Sequence, residues 1–164
     1  MTADSTGGGN PRSEDVDAVL EAGNVLLRIV AQSVIEVESE VTSPQLRVLV
    51  LIARSGSQTL GAIAGELAVH PSNATRTCDR LVARGMVQRL RSVEDRRLRR
   101  IDLTTAGRTL VESVLAHRRE AVTQVLRMLG TDAIAESLSA LRLFAVAADN
   151  IGITDGRFAL SLTE

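Results

Sequence analysis

Aromatic residues are almost missing from this chain of 164 residues, which has two phenylalanines, Phe144 and Phe158, and no tryptophan or tyrosine. Proteins that bind single strands stack bases on aromatic platforms, so that mode is excluded. RNA reading of the RRM type is excluded on the same ground. Lysine is absent as well: all 19 basic side chains are arginines, a bias that genomic base composition accounts for. The single cysteine, Cys78, leaves no intramolecular disulfide and no cysteine-based zinc site. The two histidines, His70 and His117, lie far apart in sequence, so neither a structural metal nor a cofactor is expected. No apolar run approaches the ~20 residues that span a bilayer, and no membrane partner is expected. The Gly-, Ser- and Asp-containing N-terminus lacks the apolar stretch of a signal peptide, which predicts a cytoplasmic protein. There is no Gly-rich phosphate loop after a strand, no HExxH, and no nucleophile with a base at readable spacing, so an enzyme is not expected.

What the chain does have is apolar content, 45%, enough to bury the core of one domain. Its charge is unevenly placed. The net charge is −1, yet residues 76–108 hold ten arginines against four acids, whereas residues 1–40 hold eight acids and two arginines. A neutral protein with one basic element has a polarised field, the footprint of a polyanion reader.

The basic element has a readable shape. Residues 72–84 predict a helix closed by Gly85 as a C′ glycine. Cys78, Leu81 and Val82 fall three or four residues apart on one face, with Ala74 extending it. Thr75, Arg76, Asp79 and Arg80 fall on the other. Extended residues begin at Met86, and Val87–Arg91 and Ile101–Leu103 alternate like strands around a charged turn. A short helix beside a two-stranded arm is a winged helix, its helix sized for a major groove and its arm for the neighbouring minor groove. Arg76 and Arg80, one turn apart, point outward together. They fit either base or phosphate contact, or a solvated face paired with Asp79. Asn73 fits an adenine reader or a local capping group. Cys78 reads as a small core hydrophobe. His70 reads as a turn or cap residue, and His117 as a surface residue of the fifth helix.

The rest of the chain frames this element. Residues 1–13 read as a disordered tail. A first helix follows over about 14–38, apolar at Val16, Leu20, Leu27, Val30 and Val34 and widened by Val19, Leu26 and Ile29. So broad an apolar surface predicts burial on two sides, by its own domain and by another subunit. Thr42 and Gln45 form a capping box, with Pro44 in the first turn of a second helix, about 44–54. A turn at 55–58 precedes a short helix of small residues, 60–68, with Thr59 as its cap. With the 72–84 helix it makes a helix-turn-helix. Thr104 caps a fifth helix to about Leu129, apolar at Leu110, Val111, Val114, Val122, Val125 and Leu129. A sixth runs over 132–150. The fold class is mainly α with a small two- or three-stranded β wing (α+β). The division is a dimerisation helix at 14–41, a DNA-binding lobe at 42–104 with its wing at 87–103, dimerisation helices at 105–150, and a C-terminal segment at 151–164.

Thr42-x-x-Gln45, LGAIAGEL, SNATRTCDRLVARGMVQR and EDRRLRRIDLTTAG together resemble the MarR family of bacterial transcription regulators. The most specific match is Asp95-Arg96-Arg97 followed by Leu103-Thr104-Thr105-Ala106-Gly107. The resemblance covers about residues 15–150. It implies a homodimer with interlocked terminal helices, one winged helix-turn-helix per subunit, and repression at an inverted repeat of double-stranded DNA. It also implies a small aromatic or phenolic effector between the dimerisation and DNA-binding parts. Carried over, Ser72, Asn73, Thr75, Arg76 and Arg80 would face the major groove or its phosphates. Arg97, with Arg96 the second candidate, would enter the minor groove, and Asp95 would orient the wing. Cys78 lies inside the recognition helix and does not match the family's peroxide sensors, whose thiol is near the start of the first helix. The other reading open at this point is a helical adaptor with only non-specific affinity for DNA.

Overall fold

The computed structural model describes residues 10–91 and 99–151. In chain order its elements are α1 (Ser13–Ile35), α2 (Ser43–Ser55), β1 (Gln58–Thr59), α3 (Leu60–Glu66), α4 (Pro71–Ala83), β2 (Val87–Arg91), β3 (Arg99–Leu103), α5 (Thr105–Arg127) and α6 (Thr131–Asn150). The strands form one antiparallel sheet ordered β1-β3-β2. Val87 pairs with Leu103 at the base of the arm and Arg91 with Arg99 at its far end. This is the expected mainly helical winged helix-turn-helix. The expected tail at 1–13 for its first nine residues, the C-terminal segment beyond Ile151, and the wing residues Asp95, Arg96 and Arg97 lie outside the described residues.

The core sits in the lobe. Leu46, Leu49 and Ile52 of α2, Ile63 of α3, Leu81 of α4, Ile101 of β3 and Val114 of α5 are all fully or almost fully buried in one cluster. Sequence signals set the ends of these helices. The Gln45 side chain accepts from the Thr42 N–H at 2.9 Å, so α2 starts where its capping box places it. Thr59 Oγ1 accepts from the Ala62 N–H at 3.1 Å and starts α3.

Four readings change. Gln58–Thr59, read as the end of a turn and as a cap, is also a strand, paired with Ile101 and Arg100. Two residues are too few to show alternation. Val82 is 37% exposed and does not share the buried face of Cys78 and Leu81. It follows Leu81 directly, about 100° further round the helix, and so turns outward. The first helix ends at Ile35, and turns at 36–40 lead into α2. Finally, α1 is long and apolar enough, by length and composition only, to cross a membrane. Its acids crowd toward the start at Glu14, Asp15 and Asp17, so few charges break the remainder.

The expected two-sided burial of α1 is half visible in one chain. Ser33 is the only buried residue of α1, while Leu20 and Leu27 are 60% and 65% exposed. In α6 no residue is buried, and Leu141, Leu143, Phe144 and Val146 all face out. The near end of α5 is buried at Leu110, Val111 and Val114, but Val122, Val125 and Leu129 are exposed.

The wing is locked to the lobe at its base. Thr104 Oγ1 donates to the Gly85 carbonyl at 2.6 Å and accepts from the Gly107 N–H at 3.1 Å, which caps α5. The Thr104 N–H reaches the Met86 carbonyl at 3.1 Å. Gly107 makes this approach possible, because a Cβ there would lie 2.0 Å from the Met86 carbonyl oxygen. A Gly107→Ala variant is therefore expected to lose about 2–3 kcal/mol or more, the cost of a backbone forced out of close packing. Thermal or urea unfolding of the variant beside wild type measures it, and unchanged stability would contradict the contact. Cys78 is fully buried. Burial pushes its thiol up to about 11, with the charge of Asp79 adding to the rise and that of Arg89 opposing it. Thiolate is the reactive form, so near neutral pH the native protein should resist alkylation and react only once unfolded. Mass spectrometry after iodoacetamide, with and without denaturant, checks this.

Candidate nucleic-acid interface

The interface is built around α4. Pro71 occupies its first position, where no hydrogen bond is lost. His70 is the N-cap expected of it: its Nδ1 accepts from the Ser72 N–H at 3.3 Å and lies 2.8 Å from Ser72 Oγ. Ala74, Cys78 and Leu81 form the buried face and fix the rotation of the helix. That rotation leaves Ser72, Asn73, Arg76 and Arg80 exposed together on the opposite side. Thr75 is half-buried, and its hydroxyl donates to the Pro71 carbonyl at 3.0 Å. Five of the seven candidate DNA contacts are thus placed on one helix. The other two, Arg96 and Arg97, lie outside the described residues, as does Asp95.

Asp79 does not pair with Arg76 or Arg80. Its partner is Arg89 of β2, through Oδ1 and Nη2. The positive charge of Arg76 and Arg80 is therefore left facing solvent. Other arginines of the basic segment are engaged internally. Arg84 Nη1 donates to the Glu40 carbonyl, which ties the end of α4 to the turn before α2. Arg100 donates through Nε to Ser57 Oγ at 2.9 Å and through Nη2 to the Ser57 carbonyl. The segment's charge is real, but part of it holds the lobe together.

Beside α4 lies a groove of about 320 Å³ between the first turn of α2 and the outward side of α4. Thr42, Pro44, Arg47, Asn73, Arg76 and Arg80 contribute to its walls. Sequence reasoning missed Arg47. The signal was there, since Arg47 is the one charge inside the apolar run LRVLVLIA. The Asp79–Arg89 pair had no sequence signal, because it exists only once β2 folds back along α4. His117, exposed as expected, has a partner: Nδ1 lies 2.5 Å from Glu36 Oε2. Next to it Arg118 Nε donates to Ser33 Oγ at 2.7 Å, so polar contacts join α1 to α5. A second cavity, about 280 Å³, opens here between Arg28, Gln32, Glu36, His117 and Ala121.

Known proteins share this arrangement. The model of the MarR family matches residues 41–98, from just before the capping box of α2 into the wing. The HTH-type transcriptional repressor MdtR of Bacillus subtilis is 31% identical over 109 residues, which cover 66% of this chain and 70% of that protein. Among solved structures, RV1404 from Mycobacterium tuberculosis is 33% identical with a TM-score of 0.75, covering 86% of this chain and 98% of its own. FabT of Streptococcus pneumoniae, solved in complex with DNA, shares the fold at a TM-score of 0.67 and 16% identity, over 85% of this chain and 99% of its own. With the capped α4, its outward arginines and the strand pair behind it, these matches place the chain in the MarR family of transcriptional regulators.

Proposed function

We propose that the chain is a homodimeric, non-enzymatic repressor that binds a pseudo-palindromic operator in double-stranded DNA. The observation that carries this reading is the face of α4, where Arg76 and Arg80 stand outward one turn apart while Ala74, Cys78 and Leu81 anchor the helix. A guanidinium so placed can fork onto guanine O6 and N7. Repression is also what the name of the B. subtilis relative describes for that protein.

A second copy covers the apolar surfaces of α1, α6 and the far end of α5. So many large apolar side chains left exposed along three helices mark an interface, and a second chain with the same faces is its natural occupant. That assignment also accounts for α1 without a membrane, and the protein acts in the cytoplasm at the nucleoid. Two recognition helices on one side of DNA enter successive major grooves, so their centres lie about 34 Å apart. Arg97, with Arg96 beside it, enters the minor groove, where a narrow A/T-rich groove concentrates negative potential. Asp95 orients that tip.

Regulation acts on the separation of the two heads. A ligand that binds better when they are misplaced shifts the population off DNA. A small aromatic or phenolic effector would sit in the cavity between α1 and α5, whose walls belong to the helices that set the separation of the two heads.

Two experiments test this. In the first, wild type and Arg97→Ala are titrated onto the fragment immediately upstream of the chain's own gene at several salt concentrations. Tight binding with a steep salt slope, protection of about 16–20 base pairs and a large loss in the variant are expected. Weak binding that ignores sequence and is unchanged in Arg97→Ala would mean either the wrong operator or an adaptor, and selection from random DNA separates the two. In the second, sedimentation should show a dimer for wild type and a shift toward monomer for Leu27→Glu with Leu141→Glu, since buried charge without a partner opposes association. A wild-type monomer would overturn the dimer.

A further inference from the structure

Asp79 is an odd residue for the side of a helix that meets DNA. It sits on the exposed flank of α4, three residues after Arg76 and one before Arg80. An unpaired carboxylate there repels phosphate. Its partner is ten residues away, on β2, the strand that leads into the wing. Both side chains are substantially exposed, 53% for Asp79 and 37% for Arg89. So open an ion pair contributes little to folding stability. Its placement, however, bridges two elements that approach DNA separately.

β2 is held at its base, along its pairing with β3, and at the flank of α4. At its base the Thr104 backbone and side chain grip the carbonyls of Met86 and Gly85. Two residues into the strand, Arg89 grips the flank of α4 through Asp79. The pairing with β3, itself tied to Ser57 through Arg100, fixes the arm on its sheet side, and Asp79–Arg89 adds the tie to α4 that sets the direction in which the arm leaves that helix. Resting on the DNA-binding reading above, we infer that Asp79 and Arg89 are a positioning pair. Together they set the angle of the wing to α4 and cancel a carboxylate on the DNA-facing side. Arg89 acts through Asp79 and takes no phosphate of its own. The pair thereby couples reading of the major groove by α4 to insertion of the wing in the minor groove.

A double-mutant cycle separates this from direct phosphate contact by Arg89. Wild type, Asp79→Asn, Arg89→Gln and the double variant are titrated onto an operator selected from random DNA by the wild-type protein, at several salt concentrations. Arg89→Gln alone should weaken binding at least tenfold, because it releases the wing from α4 and leaves the Asp79 charge uncancelled. Asp79→Asn should cost about threefold. In the Asp79→Asn background, Arg89→Gln should cost almost nothing further, and the salt slope should stay that of wild type. Arg89→Lys, which keeps the charge, should bind nearly as well as wild type. Hydroxyl-radical footprints should show minor-groove protection by the wing blurred in both single variants, while major-groove protection by α4 persists. Unfolding temperatures should be nearly equal across the set. The inference is overturned if Arg89→Gln costs the same with or without Asp79 and lowers the salt slope by about one, as loss of one phosphate contact would. It is likewise overturned if the footprint weakens evenly. If wild type selects no sequence at all, the DNA-binding reading itself fails; tight wild-type binding with no coupling removes only the pair.

Discussion

The rotation of α4 about its own axis is the constraint on which the rest depends. Ala74, Cys78 and Leu81 are buried in the cluster that contains Leu46, Leu49 and Ile63. A helix held by three side chains on one face has no freedom to turn, so the outward residues are fixed by default. Ser72, Asn73, Arg76 and Arg80 stand outward together because their neighbours are core. The small residues of α3 belong to the same constraint, since they let it lie close beneath α4. The buried thiol fits as well. With its proton held by burial, Cys78 contributes packing rather than reactivity.

Charge is then sorted by geometry. The basic segment from Arg76 to Arg108 holds arginines in two kinds of service. Arg84, Arg89 and Arg100 bind a turn carbonyl, a carboxylate and a serine, and they join α4, β2 and β3 to their surroundings. Arg76 and Arg80 remain at the surface. A guanidinium suits both duties, since its planar fork of donors satisfies carbonyls and carboxylates as readily as bases and phosphates. The long helices divide in a similar way. The near half of α5 joins the core, whereas its far half, α1 and α6 present aliphatic surface that one chain does not cover. Polar contacts, Glu36 to His117 and Ser33 to Arg118, hold α1 to α5 where the apolar faces turn away.

Much of this was legible in the sequence because it is encoded locally. Capping residues Thr42, Thr59 and Thr104 mark helix starts through contacts between residues only three apart. The period of Ala74, Cys78 and Leu81 marks a buried face, and Gly85 marks its end. What escaped depends on residues far apart in the chain. β1 is a strand only because β3 lies beside it. The Asp79–Arg89 pair requires the strand to return along the helix. Gly107 closes the motif that carries the resemblance, but the reason for a glycine there, the Met86 carbonyl against it, appears only in the fold. Val82 shows the limit of periodicity: its four-residue spacing from Cys78 placed it on the wrong face. In α1 the pattern showed more apolar surface than one domain needs, which the exposed residues bear out. The count of unbroken apolar residues understated the helix, because isolated charges such as Glu21 and Arg28 interrupt it without making it polar.

The central claim is that two copies of α4 read DNA together as a fixed pair. Selection from random double-stranded DNA by the full-length protein tests it most directly. The enriched sequences should form an inverted repeat with half-site centres about one helical turn, 10–10.5 base pairs, apart. An empty selection, or single half-sites with no fixed spacing, would contradict it.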